Sequence, residues 1–147
     1  MKHVIYTGLL LIAIATGCKG QNKQNEVVAE LKQDDPTFLA LKDTAQKYLP
    51  QFITALAKKS TGFKFIVKSD FVDKGTTEHM WSQIAEYRDG RFNGIFIDSA
   101  FNVKNINPGD KVSIDKKQVE DWAIYNDSGV RVAGAFSEKY LKSKLHD

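Results

Sequence analysis

The spacing of hydrophobic and polar residues divides the chain into four consecutive segments. Residues 4–15 are almost continuously apolar, whereas residues 19–34 are rich in Gln, Asn and Lys. Residues 38–56 repeat their apolar positions every three or four residues, and from residue 63 onwards apolar and polar positions mostly alternate. These last two periodicities are typical of an amphipathic helix and of strands with one buried face. We therefore predict one domain that contains both helix and sheet.

The helical segment has recognisable start and stop signals. Asp35 can accept hydrogen bonds from the free amides of a helix start, and Pro36 fits the first helical position. Gly62 is expected to end the helix as a C-terminal cap. Pro50 interrupts the pattern because it lacks a backbone donor and crowds the preceding turn. We predict a helix kinked at this proline or, alternatively, two short helices that meet there.

The alternating segments predict strands, and Gly, Pro, Asn and Asp residues between them predict turns. Residues 88–90 suit a three-residue hairpin loop with Gly90 at positive φ. Residues 107–110 suit a type II turn, and residues 126–129 connect a second hairpin. The predicted strands are residues 63–68, 78–87, 91–98, 111–114, 119–125 and 130–135.

These elements define the expected fold class. Ser137 can cap a last short helix whose Tyr140, Leu141 and Leu145 face inward. We predict an α+β fold in which the N-terminal kinked helix packs on a strongly bent antiparallel sheet of about five strands, closed by the short C-terminal helix. A small, partly open β-barrel is the alternative.

The apolar run at residues 4–15 precedes the only cysteine of the chain, Cys18. The run is shorter than the roughly 20 apolar residues that span a membrane, and a basic residue and small residues flank it as in a secretory signal. Ala15-Thr16-Gly17-Cys18 resembles the lipobox, the cleavage and acylation motif of bacterial lipoproteins. The resemblance implies cleavage before Cys18 and acylation of that cysteine. Two or three acyl chains on Cys18 would anchor the protein stably in a membrane, whereas a single acyl chain binds only marginally. A signal cut elsewhere, or an uncleaved anchor helix, is the alternative.

The domain boundaries follow from this motif. We predict a lipoprotein signal peptide at residues 1–17, the acylated cysteine and a polar tether at 18–34, and a single α+β domain at 35–147. The residues after Cys18 carry neither the acidic surface-export signal nor the aspartate retention signal of bacterial lipoproteins. The expected location is therefore the bacterial cell envelope, at the outer membrane and facing the periplasm.

Composition and charge narrow the possible partners. The chain is 42% hydrophobic, enough for a buried core, and its single cysteine cannot form an internal disulfide. The formal charge is only +3 and the lysines are dispersed. A nucleic-acid partner is not expected, because such proteins carry a clustered basic face.

Three blocks of residues resemble a known bacterial family. These blocks are Glu78-His79-Met80-Trp81, residues 109–114 and Asp121-Trp122, followed by a strand containing Gly134 and a C-terminal helix. In their order and spacing they resemble the YegJ-like domain of unknown function, number 2314, from Ala45 to the end of the chain. The resemblance implies no activity. The chain departs from the pattern at residues 133–136, where a second glycine is expected.

The candidate ligand-binding residues come from the same blocks. His79 and Trp81 share one face if their segment is a strand, and Asp121 and Trp122 on a neighbouring strand would complete a pocket with aromatic walls. Glu78 is the remaining candidate. The alternative is structural: a core tryptophan, and a half-buried histidine that hydrogen-bonds to the backbone.

The expected function is a binding module for an unknown protein or small-molecule ligand, and catalysis is the less favoured function. No nucleophile motif, phosphate loop or cofactor motif is present, and His79 and His146 are the only histidines beyond the signal. Neither a metal site nor a cofactor is expected, because zinc sites usually need three or four ligands at defined spacing. The alternative function is a small hydrolase-like enzyme with His79 as general acid or base.

Overall fold

The computed structural model describes residues 35–58, 61–138 and 140. The predicted signal peptide and tether lie outside the described residues, as do Leu141, Leu145 and His146. Among the described helices, none has the length and apolar character needed to cross a membrane.

Helix α1 spans Pro36–Ala57 and starts as the sequence predicts. The Asp35 carboxylate accepts hydrogen bonds from the backbone amides of Thr37 at 2.7 Å and Phe38 at 3.2 Å. The helix continues through Pro50 as one element, so the alternative of two short helices is wrong. The predicted stop at Gly62 is also wrong, because the helix ends at Ala57 and Gly62, with φ of 90°, lies in the turn before the first strand.

Six antiparallel strands form one sheet in the described part of the chain. They are β1 (Phe63–Asp73), β2 (Thr76–Arg88), β3 (Arg91–Phe96), β4 (Lys111–Asp115), β5 (Val119–Asn126) and β6 (Arg131–Gly134). Their order is β4-β3-β2-β1-β5-β6, and β4 and β6 are edge strands. The sheet is therefore open, which confirms the α+β class, with six strands instead of about five, and rules out the barrel.

Two tight hairpins fix the register at the centre of the sheet. Lys74-Gly75 connects β1 to β2, and Asp89-Gly90 connects β2 to β3, with positive φ at all four residues. Two residues at positive φ are the signature of a type I′ turn, whose twist matches that of the paired strands. The predicted three-residue loop at 88–90 is therefore a two-residue turn, and Arg88 belongs to β2, where it pairs with Arg91.

The core lies between α1 and the sheet. Phe52 is fully buried, and its ring centroid lies 5.7 Å from those of Phe65 and Phe92 and 5.4 Å from that of Trp122. Each such aromatic pair contributes about 0.5–1.5 kcal/mol beyond the burial of its area. A second, smaller core of Met80, Phe96 and Val103 lies beneath the loop between β3 and β4.

The C-terminal helix begins at Phe136 and is capped from another strand. The Asp121 carboxylate in β5 accepts hydrogen bonds from the backbone amides of Phe136 at 3.1 Å and Ser137 at 2.8 Å. Ser137 Oγ also donates to this carboxylate, at 2.6 Å. The prediction that Ser137 caps the helix is therefore wrong: Ser137 is held by the cap that Asp121 supplies.

Backbone at positive φ leads into this helix. Gly134 has φ of 76°, and a Cβ atom there would lie 2.0 Å from the carbonyl oxygen of Trp122. Ala135, in the segment where a second glycine is expected, has φ of 55°. That left-handed conformation is the reason a glycine suits the segment.

Candidate functional site

The centre of the candidate site is a contact between two neighbouring strands. The β1–β2 register places Asp70 directly opposite His79, and directly opposed side chains lie on the same face of a sheet. Asp70 Oδ1 lies 2.7 Å from His79 Nδ1. This contact pairs a carboxylate with an imidazole whose side chain is 21% exposed.

Glu120 of β5 completes the group. Its Oε2 atom is hydrogen-bonded to His79 Nδ1 at 2.7 Å, and the ligand atoms of Asp70, His79 and Glu120 all lie within 4.8 Å of one another. We name these three residues the carboxylate–histidine cluster. It joins the β1–β2 hairpin to β5, which is adjacent to β1 in the sheet but distant in the sequence.

An irregularity in the sheet directs Glu120 into the cluster. Lys68 pairs with Asp121 and Ser69 pairs with Val119, which leaves Glu120 as the extra residue of a bulge in β5. Bulges commonly redirect one side chain away from the regular alternation. Here the redirected residue is a carboxylate that is only 3% exposed.

Two residues of α1 cover the cluster. The ring of Phe38 lies 5.2 Å from that of His79, tilted by 57°, and Lys42 Nζ lies 3.6 Å from Glu120 Oε1. The aromatic ring shields one side of the imidazole, and the ammonium group offsets part of the negative charge. The cluster is therefore half-enclosed and retains some exposure at Asp70 and His79.

The three groups shift one another's protonation. The hydrogen bond to Glu120 raises the pKa of His79 above its ordinary value, despite the opposing effect of burial. Burial and the negative charge of Glu120 raise the pKa of Asp70. Burial alone would raise the pKa of Glu120, but the hydrogen bond and charge of His79, together with the charge of Lys42 and a hydrogen bond with Asp70, lower that pKa. The contact between the two residues therefore favours an ionised Glu120 and a protonated His79.

The hydrogen bonds of the cluster leave one oxygen without a partner. Asp70 Oδ1 is enclosed, yet it accepts no hydrogen bond from any described residue, although His79 Nδ1 is only 2.7 Å away. The ring nitrogen carries at most one proton, and its hydrogen bond is made with Glu120. Two carboxylates therefore compete for one donor.

Glu78, a predicted site residue, lies outside the cluster and anchors a loop. Its carboxylate accepts hydrogen bonds from the backbone amides of Phe101 at 2.9 Å, Asn102 at 2.6 Å and Val103 at 3.4 Å. Desolvation would raise the pKa of Glu78, but these hydrogen bonds outweigh it and lower the pKa. The residue holds the β3–β4 connection against β2.

Asp121 and Trp122, also predicted site residues, are buried. Asp121 is 1% exposed and caps the C-terminal helix, as described above. Trp122 is 2% exposed, and its indole Nε1 donates to the carbonyl oxygen of Ala45 at 2.9 Å. The structure therefore places both in the framework of the domain rather than beside His79.

Trp81, the remaining predicted residue, is partly exposed on β2. Trp81 pairs with Lys68 of β1, and this pair lies two residues along the strands from the Asp70–His79 pair. Residues two apart on a strand point to the same side, so Trp81 lies on the same face of the sheet as His79. Lys68 Nζ lies 5.8 Å from the centroid of the Trp81 ring. Of the predicted residues, His79 and Trp81 are thus the two that share a partly exposed face.

Sequence reasoning missed Asp70, Glu120 and Lys42. Asp70 could have been found from the two-residue turn Lys74-Gly75. In a hairpin with such a turn, counting residues outward from the turn on both strands pairs Asp70 with His79. No local signal marks the bulge that redirects Glu120. Lys42 belongs to a helix whose packing on the sheet the sequence does not specify.

Comparisons with known proteins identify the family. Residues 35–147 match the family model described as "Uncharacterized protein conserved in bacteria (DUF2314)". Neither the curated proteins nor the solved structures gave a match to the chain. Since the family model covers more than half of the chain, the chain belongs to the uncharacterised bacterial family DUF2314.

Proposed function

We propose that this chain is a lipoprotein of the bacterial cell envelope whose domain is a binding module, with the carboxylate–histidine cluster and Trp81 as its ligand site. The observation that carries the proposal is the convergence of two carboxylates on one ring nitrogen, next to a partly exposed tryptophan. Binding sites commonly combine an aromatic wall with a few placed polar groups.

The burial of the cluster supports a functional role. Taking a carboxylate out of water is costly even when it is paired, and a hydrophobic residue often serves stability equally well. Glu120 is almost fully buried, and a bulge in β5 directs it towards His79. Well-packed apolar residues in place of the whole pair would often serve stability equally well, so stability alone does not call for this arrangement.

The tether is supported by the residues before the domain. The lipobox-like motif ends at Cys18, and the polar residues 19–34 provide a spacer to the domain that starts near Asp35. The acyl chains would hold the ligand site close to a membrane, with the outer membrane facing the periplasm as the proposed location.

Acylation is tested on the protein made in bacterial cells. We expect metabolic labelling with palmitate to label the wild-type chain and not the Cys18→Ser variant. Mass spectrometry should identify a mature N-terminus at Cys18 that carries acyl chains. A lipid-free mature protein, or one that starts at another residue, would contradict the tether.

The ligand site is tested by cross-linking in intact cells, followed by purification of the chain. The partners captured by the wild type should be lost in His79→Gln and Trp81→Ala. They should be kept in Glu86→Gln, a control on the same strand whose side chain is 47% exposed. If both site variants capture the wild-type partners, the cluster is not the ligand site.

A second candidate function is acid–base catalysis by His79. The specific observation in its favour is that carboxylates lie 2.7 Å from His79 Nδ1, an arrangement that orients an imidazole for proton transfer. This candidate predicts hydrolysis of a model ester or phosphoester by the purified chain, abolished by His79→Gln and kept by Glu86→Gln. Failure to detect turnover with either class of substrate leaves the binding module as the function.

A further inference from the structure

We propose that the carboxylate–histidine cluster binds one divalent transition-metal cation, with Asp70, His79 and Glu120 as its protein ligands. This inference deepens the proposed function, on which it rests, by naming the ligand class of the same site. It reverses the expectation from the sequence that the chain has no metal site, which considered only ligands close together along the chain.

The donor atoms of the three residues lie close together. One imidazole nitrogen and two carboxylate oxygens from three adjacent strands lie within 4.8 Å of one another. A cation held at about 2.0–2.2 Å from each ligand in tetrahedral geometry separates neighbouring ligand atoms by roughly 3.3–3.6 Å. Both oxygens lie 2.7 Å from His79 Nδ1. Each of these separations must therefore widen by about 0.6–0.9 Å to admit the ion.

The hydrogen bonds of the cluster also leave room for a cation. The single proton on His79 Nδ1 serves Glu120, and Asp70 Oδ1 is enclosed without a hydrogen-bond partner among the described residues. Buried polar groups are normally satisfied by protein, water or an ion, so an orphaned carboxylate oxygen calls for an explanation. A cation that replaces the proton gives all three atoms a partner at once.

The surroundings provide what a metal site needs beyond its ligands. The second oxygen of Glu120 faces Lys42, which fixes the orientation of the carboxylate. The ring of Phe38 gives the imidazole an apolar neighbour. Such outer contacts orient metal ligands and limit access of solvent.

The ligand set indicates the class of cation. Imidazole nitrogen favours zinc, iron, copper and nickel, whereas carboxylate oxygen suits manganese and magnesium. A mixed set without thiolate therefore fits Zn²⁺ or Mn²⁺. Three protein ligands leave one coordination position open for water or for a group on a partner, as in zinc sites that bind water or substrate at the fourth position.

The test is isothermal titration of the full chain, purified in detergent and stripped with a chelator, with zinc chloride and then manganese chloride as probes. We expect one ion per chain. His79→Gln and Asp70→Asn should each weaken binding by about 100-fold or more, and Glu86→Gln should bind as the wild type does. Circular dichroism checks that each variant is folded. If His79→Gln does not fold, Asp70→Asn, which preserves the size of the side chain, provides the test.

A background variant removes the only cysteine and the histidine near the C-terminus. Cys18→Ser combined with His146→Gln should still bind one ion, because neither residue belongs to the cluster. Loss of the ion in this background, binding retained in both cluster variants, or no stoichiometric binding of either ion by the wild type would overturn the inference.

The outcomes separate this inference from the proposed function. If the wild type binds neither ion while His79→Gln still loses its cross-linked partners, the metal inference fails and the ligand site stands. If one ion binds through the cluster but His79→Gln keeps all partners, the metal site stands and the role of the cluster in partner binding fails.

Discussion

At the scale of single residues, Asp121 connects the C-terminal helix to the sheet. Its buried carboxylate accepts hydrogen bonds from Phe136 N, Ser137 N and Ser137 Oγ, and also from Trp122 N at 2.8 Å. A buried donor that loses its partner costs about 1–3 kcal/mol. One side chain thereby ties the start of the C-terminal helix to β5.

We predict that Asp121→Ala lowers the free energy of unfolding by about 3 kcal/mol or more, because several enclosed donors lose their acceptor together. Urea unfolding followed by circular dichroism measures this change. The matched control is Asp43→Ala on the exposed face of α1, which should change stability by less than about 0.5 kcal/mol. Equal effects of the two substitutions would contradict the capping role.

Gly134 shows how a single backbone position restricts the sequence. An added Cβ would lie 2.0 Å from Trp122 O and 2.7 Å from Trp122 Cε3, and the residue has φ of 76°. We predict that Gly134→Ala costs about 3 kcal/mol or more, since strain and overlap with a core tryptophan add together. Gly75→Ala is the control, because no atom lies within 4 Å of its Cβ position and only strain applies. Similar thermal unfolding of the two variants would disprove the close approach.

At the scale of elements, the loop between β3 and β4 depends on a carboxylate from β2. Glu78 binds three consecutive backbone amides of this loop, and Asp73 accepts a further hydrogen bond from Lys104 N at 3.0 Å. The loop carries Phe101, which is 81% exposed. The β1–β2 hairpin thus positions a connection that has no regular structure of its own.

We predict that Glu78→Ala speeds hydrogen exchange at the amides of Phe101, Asn102 and Val103 by about tenfold or more, since each loses an acceptor worth roughly 1.5–3 kcal/mol. The amides of the central strand β1 should keep their protection. Glu86→Ala, on the same strand, serves as the control and should leave the loop unchanged. Unchanged exchange in Glu78→Ala would show that other contacts hold the loop.

The elements also show which parts of the structure the sequence can specify. Alternation from Phe63 onwards and the turn residues placed five of the six strands within two positions, because a buried face imposes its period directly on the sequence. The first strand runs five residues beyond its predicted end at residue 68, to Asp73. Pro50 was expected to kink the helix or to divide it in two, and the division does not occur, because α1 runs through Pro50 as one element. Packing of the helix on the sheet outweighs the local cost of one proline.

The candidate site was less predictable than the fold for a physical reason. His79 and Trp81 were identified because they are neighbours along one strand. Asp70 required the register set by a tight turn, and Glu120 required a bulge that pairing across the sheet produces. The hairpin turn is thus a sequence signal for Asp70, whereas nothing near Glu120 in the sequence marks its contact with His79.

At the scale of the whole molecule, the domain presents one face with a partly exposed histidine, a carboxylate and a tryptophan, on a framework held by α1 and the helix cap. The family assignment fixes the domain and leaves its role open. The proposed tether at Cys18 would place this face beside a membrane. The account therefore depends on whether the carboxylate–histidine cluster holds a ligand.

The most direct measurement is a crystal structure of the full chain soaked with zinc, with anomalous diffraction collected at the zinc edge. The account predicts one strong anomalous peak about 2.0–2.2 Å from Asp70, His79 Nδ1 and Glu120, absent in the His79→Gln variant. A zinc-soaked crystal without a peak at this position, or with peaks confined to other histidines and carboxylates, would contradict it.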